Sequence, residues 1–264
     1  IFMELNMDYP ADPLCIKGTK LAGLQAFAAR RMNGFISNSN AITKAFKREY
    51  PALCRIETVF YAVDTGLFKR EADPVRRSEL KRALLLPDNV VIAMTCGGVI
   101  RRKGVDFLLD CWQEIVNRYR GDCLLVIAGP YRDVKESEGA DAGFVRDILE
   151  RAESNSLKGT ICLTGKVDNV HDYMNASDLF LFASRQEGSP SVIREAMASS
   201  LPIVSLNLPD ITEDLIDDHV SGIIIYPRDY DNIRNWQTEK ITGNEVREEF
   251  VNAALDIMND PNLA

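Results

Sequence analysis

From about residue 90 onward, short apolar runs rich in β-branched residues alternate with longer segments whose apolar positions recur every three or four residues. That alternation predicts a series of βαβ crossovers, and hence an α/β fold built on a parallel sheet. The predicted strands are Val90 to Cys96, Cys123 to Ala128, Thr160 to Thr164, Leu179 to Ala183, Ile203 to Leu206 and Gly222 to Tyr226. Several are apolar without alternation, as strands covered by helices on both faces are. Between them, Val105, Leu108, Leu109, Trp112, Ile115 and Val116 form one apolar helical stripe. Gly143 to Glu153, Val192 to Ser199 and Glu245 to Asn259 predict further helices, the last stopped by Asp260-Pro261.

The first 75 residues follow a different pattern. Thr19 to Arg31 and Ala41 to Glu49 predict helices, whereas Gly34 to Ser37 and Thr58 to Phe60 predict single short strands. These pieces are too few for a complete sheet domain. Arg70 to Arg82 is charged and contains Pro74, so it is the expected linker.

Composition narrows the function classes. A chain of 264 residues with 46% hydrophobic content can bury a substantial core. Its net charge of -8 excludes the basic footprint of a nucleic-acid binder. Any polyanionic ligand must meet a local basic site. The six cysteines (Cys15, Cys54, Cys96, Cys111, Cys123 and Cys162) show no C-x-x-C or metal-finger spacing, which predicts reduced core thiols and a cytoplasmic protein. His171 and His219 form no metal-binding pair, so no metal is expected; His171 reads as a solvent-facing residue in a short helix and His219 as part of an acidic turn after Asp217-Asp218. No uncharged apolar stretch reaches the roughly 18 to 20 residues that cross a bilayer. The first residue is Ile, which suggests a fragment or a processed product.

The chemistry concentrates between Ser184 and Ala198. The predicted strand ending at Ala183 is followed by the turn-forming Gly188, Ser189, Pro190 and Ser191, and then by a helix. A helix N-terminus presents unpaired N–H groups and a positive dipole end, which suit a phosphate. In an open α/β sheet, ligands sit at the carboxyl ends of the strands. Glu187 in the loop and Glu195 in the helix, eight positions apart, then acquire distinct tasks: accepting from sugar hydroxyls and from a ribose diol. Two glutamates taken at random would be solvated acids. The surrounding pattern is what singles these out.

That pattern, Glu187-Gly188-Ser189-Pro190 followed by Glu195-Ala196-Met197-Ala198, resembles the E-x7-E signature of the family-4 glycosyltransferases. The glycine-rich Thr95-Cys96-Gly97-Gly98 with Lys103-Gly104-Val105-Asp106 is similar to the family's turn and helix start. Val126-Ile127-Ala128-Gly129, Leu163-Thr164-Gly165-Lys166-Val167, Ala176-Ser177-Asp178-Leu179-Phe180-Leu181 and Ser221-Gly222 resemble later family segments in the same order. Phe60 to Phe68 resembles the segment where the chain crosses between domains. The resemblance covers about residues 58 to 226.

It implies a Rossmann-like domain of the GT-B type over residues 69–264, preceded over 1–68 by a partial remnant of an N-terminal, acceptor-binding Rossmann domain and the crossover. It further implies a retaining, metal-independent hexosyltransferase whose donor substrate is a nucleoside-diphosphate sugar, with no cofactor. Lys103 would neutralise the departing diphosphate, and Glu187 would share the catalytic role. Gly97, Gly98, Arg102, Gly188, Ser189, Pro190, Ser191, Val192 and Glu195 would complete the donor site, and Lys166 and Val167 would meet the base through their backbone. The family usually carries an arginine where Gly98 stands; Arg101 and Arg102 are the candidates for that charge. The acceptor is a glycan, a lipid or a small molecule, and a lipid would bring peripheral contact with a membrane. The competing readings are a non-catalytic nucleotide-sugar-binding module and a nucleotide-sugar epimerase.

Overall fold

The computed structural model describes residues 2–5, 27–53, 55–131, 141–227 and 244–260. Two parallel sheets organise the chain. The small one joins β1 (Phe2–Leu5), β2 (Gly34–Ser37) and β3 (Ile56–Thr58) in the order β1-β2-β3. The large one holds β4 (Val91–Cys96), β5 (Cys123–Ala128), β6 (Ile161–Gly165), β7 (Leu179–Phe182), β8 (Ile203–Leu206) and β9 (Gly222–Ile225), in the order β6-β5-β4-β7-β8-β9. Every pairing is parallel. The chain therefore builds outward from β4 to β6, then returns to place β7 on the other side of β4. The strand order reverses there, and the crevice at the carboxyl ends of β4 and β7 is the site this topology creates.

Apolar strands force a core on both faces of the large sheet. On one face, α3 (Val105–Arg118), α4 (Ala142–Ala152) and α7 (Asn244–Met258) bury Phe107, Trp112, Ile148 and Phe250 against Leu125, Ile127 and Leu181. On the other, α5 (Val170–Ala176) and α6 (Ser191–Ala198) bury Met174, Ile193 and Ala196 against Met94, Phe180 and Ile203. The helix α1 (Asn40–Glu49), capped by Ser39, packs Ile42 and Phe46 on the small sheet. Among the described residues, no helix is long and apolar enough to cross a membrane.

Three sequence expectations change. Arg70 to Arg82 is not a linker, because Pro74–Ala83 is a helix, α2. Asp73 caps it by accepting from the Val75 amide at 2.9 Å, and Pro74 occupies the first turn, where its missing N–H costs nothing. Arg77 then donates to the carbonyls of Ala176 and Ser177 and to Asp178, tying α2 to the amino end of the sheet. The strand expected at Thr58 to Phe60 lies two residues earlier, and Phe2–Leu5 is a strand that the sequence pattern does not predict. His171 is half-buried, its ring 6.0 Å from that of Phe68, rather than solvent-facing. The helix expected over Thr19 to Arg31 lies outside the described residues up to position 26.

The crevice is narrow because glycine makes it so. Gly104 stands at φ +67°, and a Cβ there would lie 2.0 Å from the carbonyl oxygen of Ala183 at the end of β7. Gly98 is different, since a Cβ would meet nothing nearer than the Pro130 carbonyl oxygen at 3.6 Å. We expect Gly104→Ala to cost on the order of 3 kcal/mol, from a left-handed backbone combined with overpacking. Gly98→Ala should cost less than about 1 kcal/mol. Urea denaturation measures both, and equal midpoints for the two variants would refute the constraint at Gly104.

Candidate functional site

The chain leaving β4 runs through Gly97 and Gly98 into a single 3-10 turn, Arg101–Lys103, before Gly104 opens α3. Three consecutive cations on such a turn point in different directions. Arg101 turns outward: its Nε and Nη2 donate to Asp141 at 3.1 and 2.8 Å, and its guanidinium lies 4.9 Å from the centre of the Phe144 ring. Arg102 and Lys103 turn into the crevice.

The chain leaving β7 supplies their partner. Glu187 is buried, with 7% of its side chain exposed, which an isolated carboxylate could not tolerate. Lys103 Nζ donates to Glu187 Oε1 at 2.6 Å, and Arg102 Nη1 donates to Oε2 and to the Gln186 carbonyl, each at 3.0 Å. One carboxylate thus bridges two cations that are themselves about four-fifths buried. The aliphatic stem of Lys103 crosses Gly97, where a Cβ would lie 3.1 Å from its Cε. A side chain at Gly97 would push the ammonium away from Glu187.

Glu195 lies on α6, the helix that follows this loop. Its carboxylate is half-buried and has no hydrogen bond or ion pair among the described residues. It lies close enough to Cys96 to affect the thiol, whose pKa is pushed up to about 11, chiefly by burial and secondarily by the Glu195 charge, with Lys103 opposing. Cys96, at the end of β4, thus feels both charges. The N-terminus of α6 follows the same loop with Pro190 at its cap position and no side-chain cap; the Ile193 amide donates to the Pro190 carbonyl at 3.3 Å, and the Ser191 and Val192 amides stay available to an acceptor atom.

The remaining predicted positions divide. Gly188 and Pro190 are buried in the loop and shape it. Ser191 and Val192 begin α6. The Ser189 hydroxyl is engaged elsewhere, donating to the Asn38 carbonyl of the small-sheet segment at 2.8 Å. Lys166 is exposed and Val167 packs partly against the core, just beyond the end of β6, two strands from β4 along the same carboxyl edge. Gly98 supplies no side chain, and Val99 beside it bonds to the Pro130 carbonyl at 2.9 Å. His219 is 77% exposed in a turn near β9 and takes no part.

Two residues without an assigned role join the loops that carry the site. Arg185 Nη2 donates to Asp106 Oδ2 at 2.8 Å, Arg185 Nη1 to the Arg101 carbonyl at 3.2 Å, and the Arg185 amide to the Arg102 carbonyl at 2.8 Å. The only sequence signal was two opposite charges inside otherwise apolar or turn-forming motifs. Among the described residues, no group of three His, Cys, Asp or Glu side chains is placed to hold a metal.

Residues 90–235, more than half of the chain, match the family described as Glycosyl transferases group 1. The lipopolysaccharide core biosynthesis mannosyltransferase LpsB of Rhizobium meliloti is 28% identical over 191 residues, 72% of this chain and 50% of that protein. The putative teichuronic acid biosynthesis glycosyltransferase TuaC of Bacillus subtilis is 24% identical over 84% of this chain and 52% of its own length. The chain thus spans about half the length of these curated relatives. Among solved structures, Anabaena HepE in complex with UDP and glucose superposes with a TM-score of 0.67 at 20% identity, over 97% of this chain and 66% of that one. WaaG, a glycosyltransferase involved in lipopolysaccharide biosynthesis, gives 0.60 at 17% identity, over 93% and 65%. These likenesses show the fold, an α/β architecture with a parallel sheet shared with GT-B glycosyltransferases.

The bridging carboxylate carries its own test. Glu187→Gln leaves two cations without their counter-charge and should lower stability by about 2 kcal/mol, less than for a fully buried pair because both cations keep some contact with water. Urea denaturation at low salt reads this, and an unchanged midpoint would show that the three charges do not constrain one another.

Proposed function

The chain belongs to the group 1 glycosyl transferases, and from that membership we propose that its large sheet carries the donor site of a retaining, metal-independent enzyme of the family-4, E-x7-E type. The donor is a nucleoside-diphosphate sugar. The observation that carries this reading is the meeting of Lys103 and Arg102 on Glu187 at the β4–β7 crevice, with Glu195, which has no hydrogen bond or ion pair among the described residues, on the helix that follows. Complexes of HepE with UDP and with UDP-glucose support a uridine nucleotide as the first ligand to try.

In this reading the Glu195 carboxylate accepts from the two ribose hydroxyls, and the loop at Lys166 and Val167 meets the base through its backbone. The diphosphate lies across the N-terminus of α6, where the Ser191 and Val192 amides and the dipole favour negative charge. Lys103 and Arg102 face the same anion. As it binds, it competes with Glu187 for both cations and releases carboxylate oxygens to accept from hydroxyls of the sugar. Arg102 supplies the second positive charge that Gly98 cannot.

Transfer then needs no nucleophile from the protein. The bond from the anomeric carbon to the diphosphate oxygen breaks, and the acceptor hydroxyl oxygen bonds to the same face of that carbon. The hydroxyl proton passes to the departing diphosphate. Lys103, Arg102 and the α6 amides stabilise the charge that develops on the leaving group, a preorganised electrostatic contribution. The small sheet belongs, in this proposal, to a second domain that holds the acceptor, a glycan, a lipid or a small molecule. The four described cysteines are free thiols, which supports a reducing, cytoplasmic setting. The missing side chain at Gly98 favours, as a second reading, a module that binds the nucleotide sugar without transferring it.

Calorimetry with UDP and GDP tests the binding half: Glu195→Gln should weaken the preferred nucleotide by about tenfold or more, since a carboxylate that accepts from two hydroxyls loses a charge-assisted pair. Equal affinity in Glu195→Gln and the parent would defeat the role given to Glu195. Glu187→Gln should keep or tighten nucleotide binding, because two cations are freed, and should reduce sugar transfer measured in the full-length protein.

A further inference from the structure

We infer that Arg185 and Asp106 form a positioning pair, which holds the two crevice loops in register for the donor diphosphate and adds little to the stability of the fold. The inference rests on the donor-site reading and assigns a task to two residues that touch no ligand.

The pair is costly to bury. Arg185 keeps 2% of its side chain exposed and Asp106 8%. Taking both charges out of water costs several kcal/mol per ion, and their attraction repays this only when every remaining lone pair and proton is satisfied. Here that condition fails on both sides, for Arg185 Nε and Asp106 Oδ1 have no hydrogen-bond partner. An apolar pair of similar volume would hold the same space at equal or better stability. Asp106 sits in the first turn of α3, where the helix dipole recovers part of the cost, but only part.

The arrangement does, however, fix geometry. The planar guanidinium presents rigidly spaced donors, and here they reach two points 5 residues apart in sequence, the Arg101 carbonyl and the Asp106 carboxylate. The Arg185 amide adds the Arg102 carbonyl. Arg185 therefore grips both ends of the segment that carries Lys103, while its own chain reaches Glu187 two residues later. Moving Arg185 moves Glu187 relative to Lys103 and Arg102. Hydrogen bonds of 2.6 and 3.0 Å between those groups tolerate little displacement.

A double-mutant cycle separates positioning from packing. In the parent chain, Lys103→Ala should weaken UDP binding by about tenfold, the loss of one charge-assisted contact. In the apolar background Arg185→Met with Asp106→Leu, the melting temperature should stay near that of the parent, UDP should bind about tenfold more weakly, and Lys103→Ala should then cost less than about twofold. A full tenfold cost of Lys103→Ala in both backgrounds, with UDP affinity otherwise kept, overturns the inference. If the apolar variant does not fold, Arg185→Lys replaces it: the charge opposite Asp106 remains but the fork to the Arg101 carbonyl is lost. The same reduction in the Lys103→Ala effect is expected, and an unreduced effect again overturns the pair's role. Absence of UDP binding by the parent chain would sink the donor-site reading itself, whereas binding with an undiminished Lys103 effect sinks the positioning role alone.

Discussion

At Gly104 the chain leaving β4 passes so near the end of β7 that a methyl group would overlap the Ala183 carbonyl. The rest of the crevice follows from this contact. A left-handed residue just before α3 lets the 3-10 turn fold back over the sheet edge, which aims Arg102 and Lys103 inward and Arg101 outward. A second contact of the same kind lies one strand over, where a Cβ on Gly129 would come within 2.0 Å of the Gly97 carbonyl oxygen. The carboxyl edge is thus packed backbone to backbone, and side chains enter it only from positions that have no competitor for the space.

Electrostatics then divides the labour. Three like charges in three consecutive residues would repel one another if all faced the same way. Asp141 and the Phe144 ring draw off Arg101, leaving two cations for a single buried carboxylate. The group of Lys103, Arg102 and Glu187 carries a net positive charge in a chain whose total is -8. A local surplus of that sign inside an acidic molecule selects anions by position rather than by overall attraction.

Much of this was legible in the sequence and some was not, for reasons that differ from residue to residue. The strands of the large sheet are apolar at nearly every position, so Cys123–Ala128 and Ile203–Leu206 lie where the pattern put them. The helix α2 was invisible to periodicity because it has no apolar stripe; its stability comes from the Asp73 cap and from Arg77 reaching residues about a hundred positions away. The two glutamates and Lys103 stood out through spacing and family pattern. Their direct pairing did not, since Lys103 and Glu187 are 84 residues apart and only the crossover topology brings them together. Arg185 was hard to read for the opposite reason: an arginine in a polar turn shows its charge, but not that the fold will bury it almost completely.

The Ser189 hydroxyl, donated at 2.8 Å to the Asn38 carbonyl, makes the loop mechanically continuous with the small sheet. A stretch of less than about 1 Å would break such a bond. Lys44 and Asp210 add an ion pair between the same two parts of the chain, but both groups are half in water and follow one another through much larger excursions. The hydroxyl contact is therefore the stiff link and the ion pair the slack one. Rotation of the small sheet is felt first at the backbone two residues from Glu187, while the charged tether still holds.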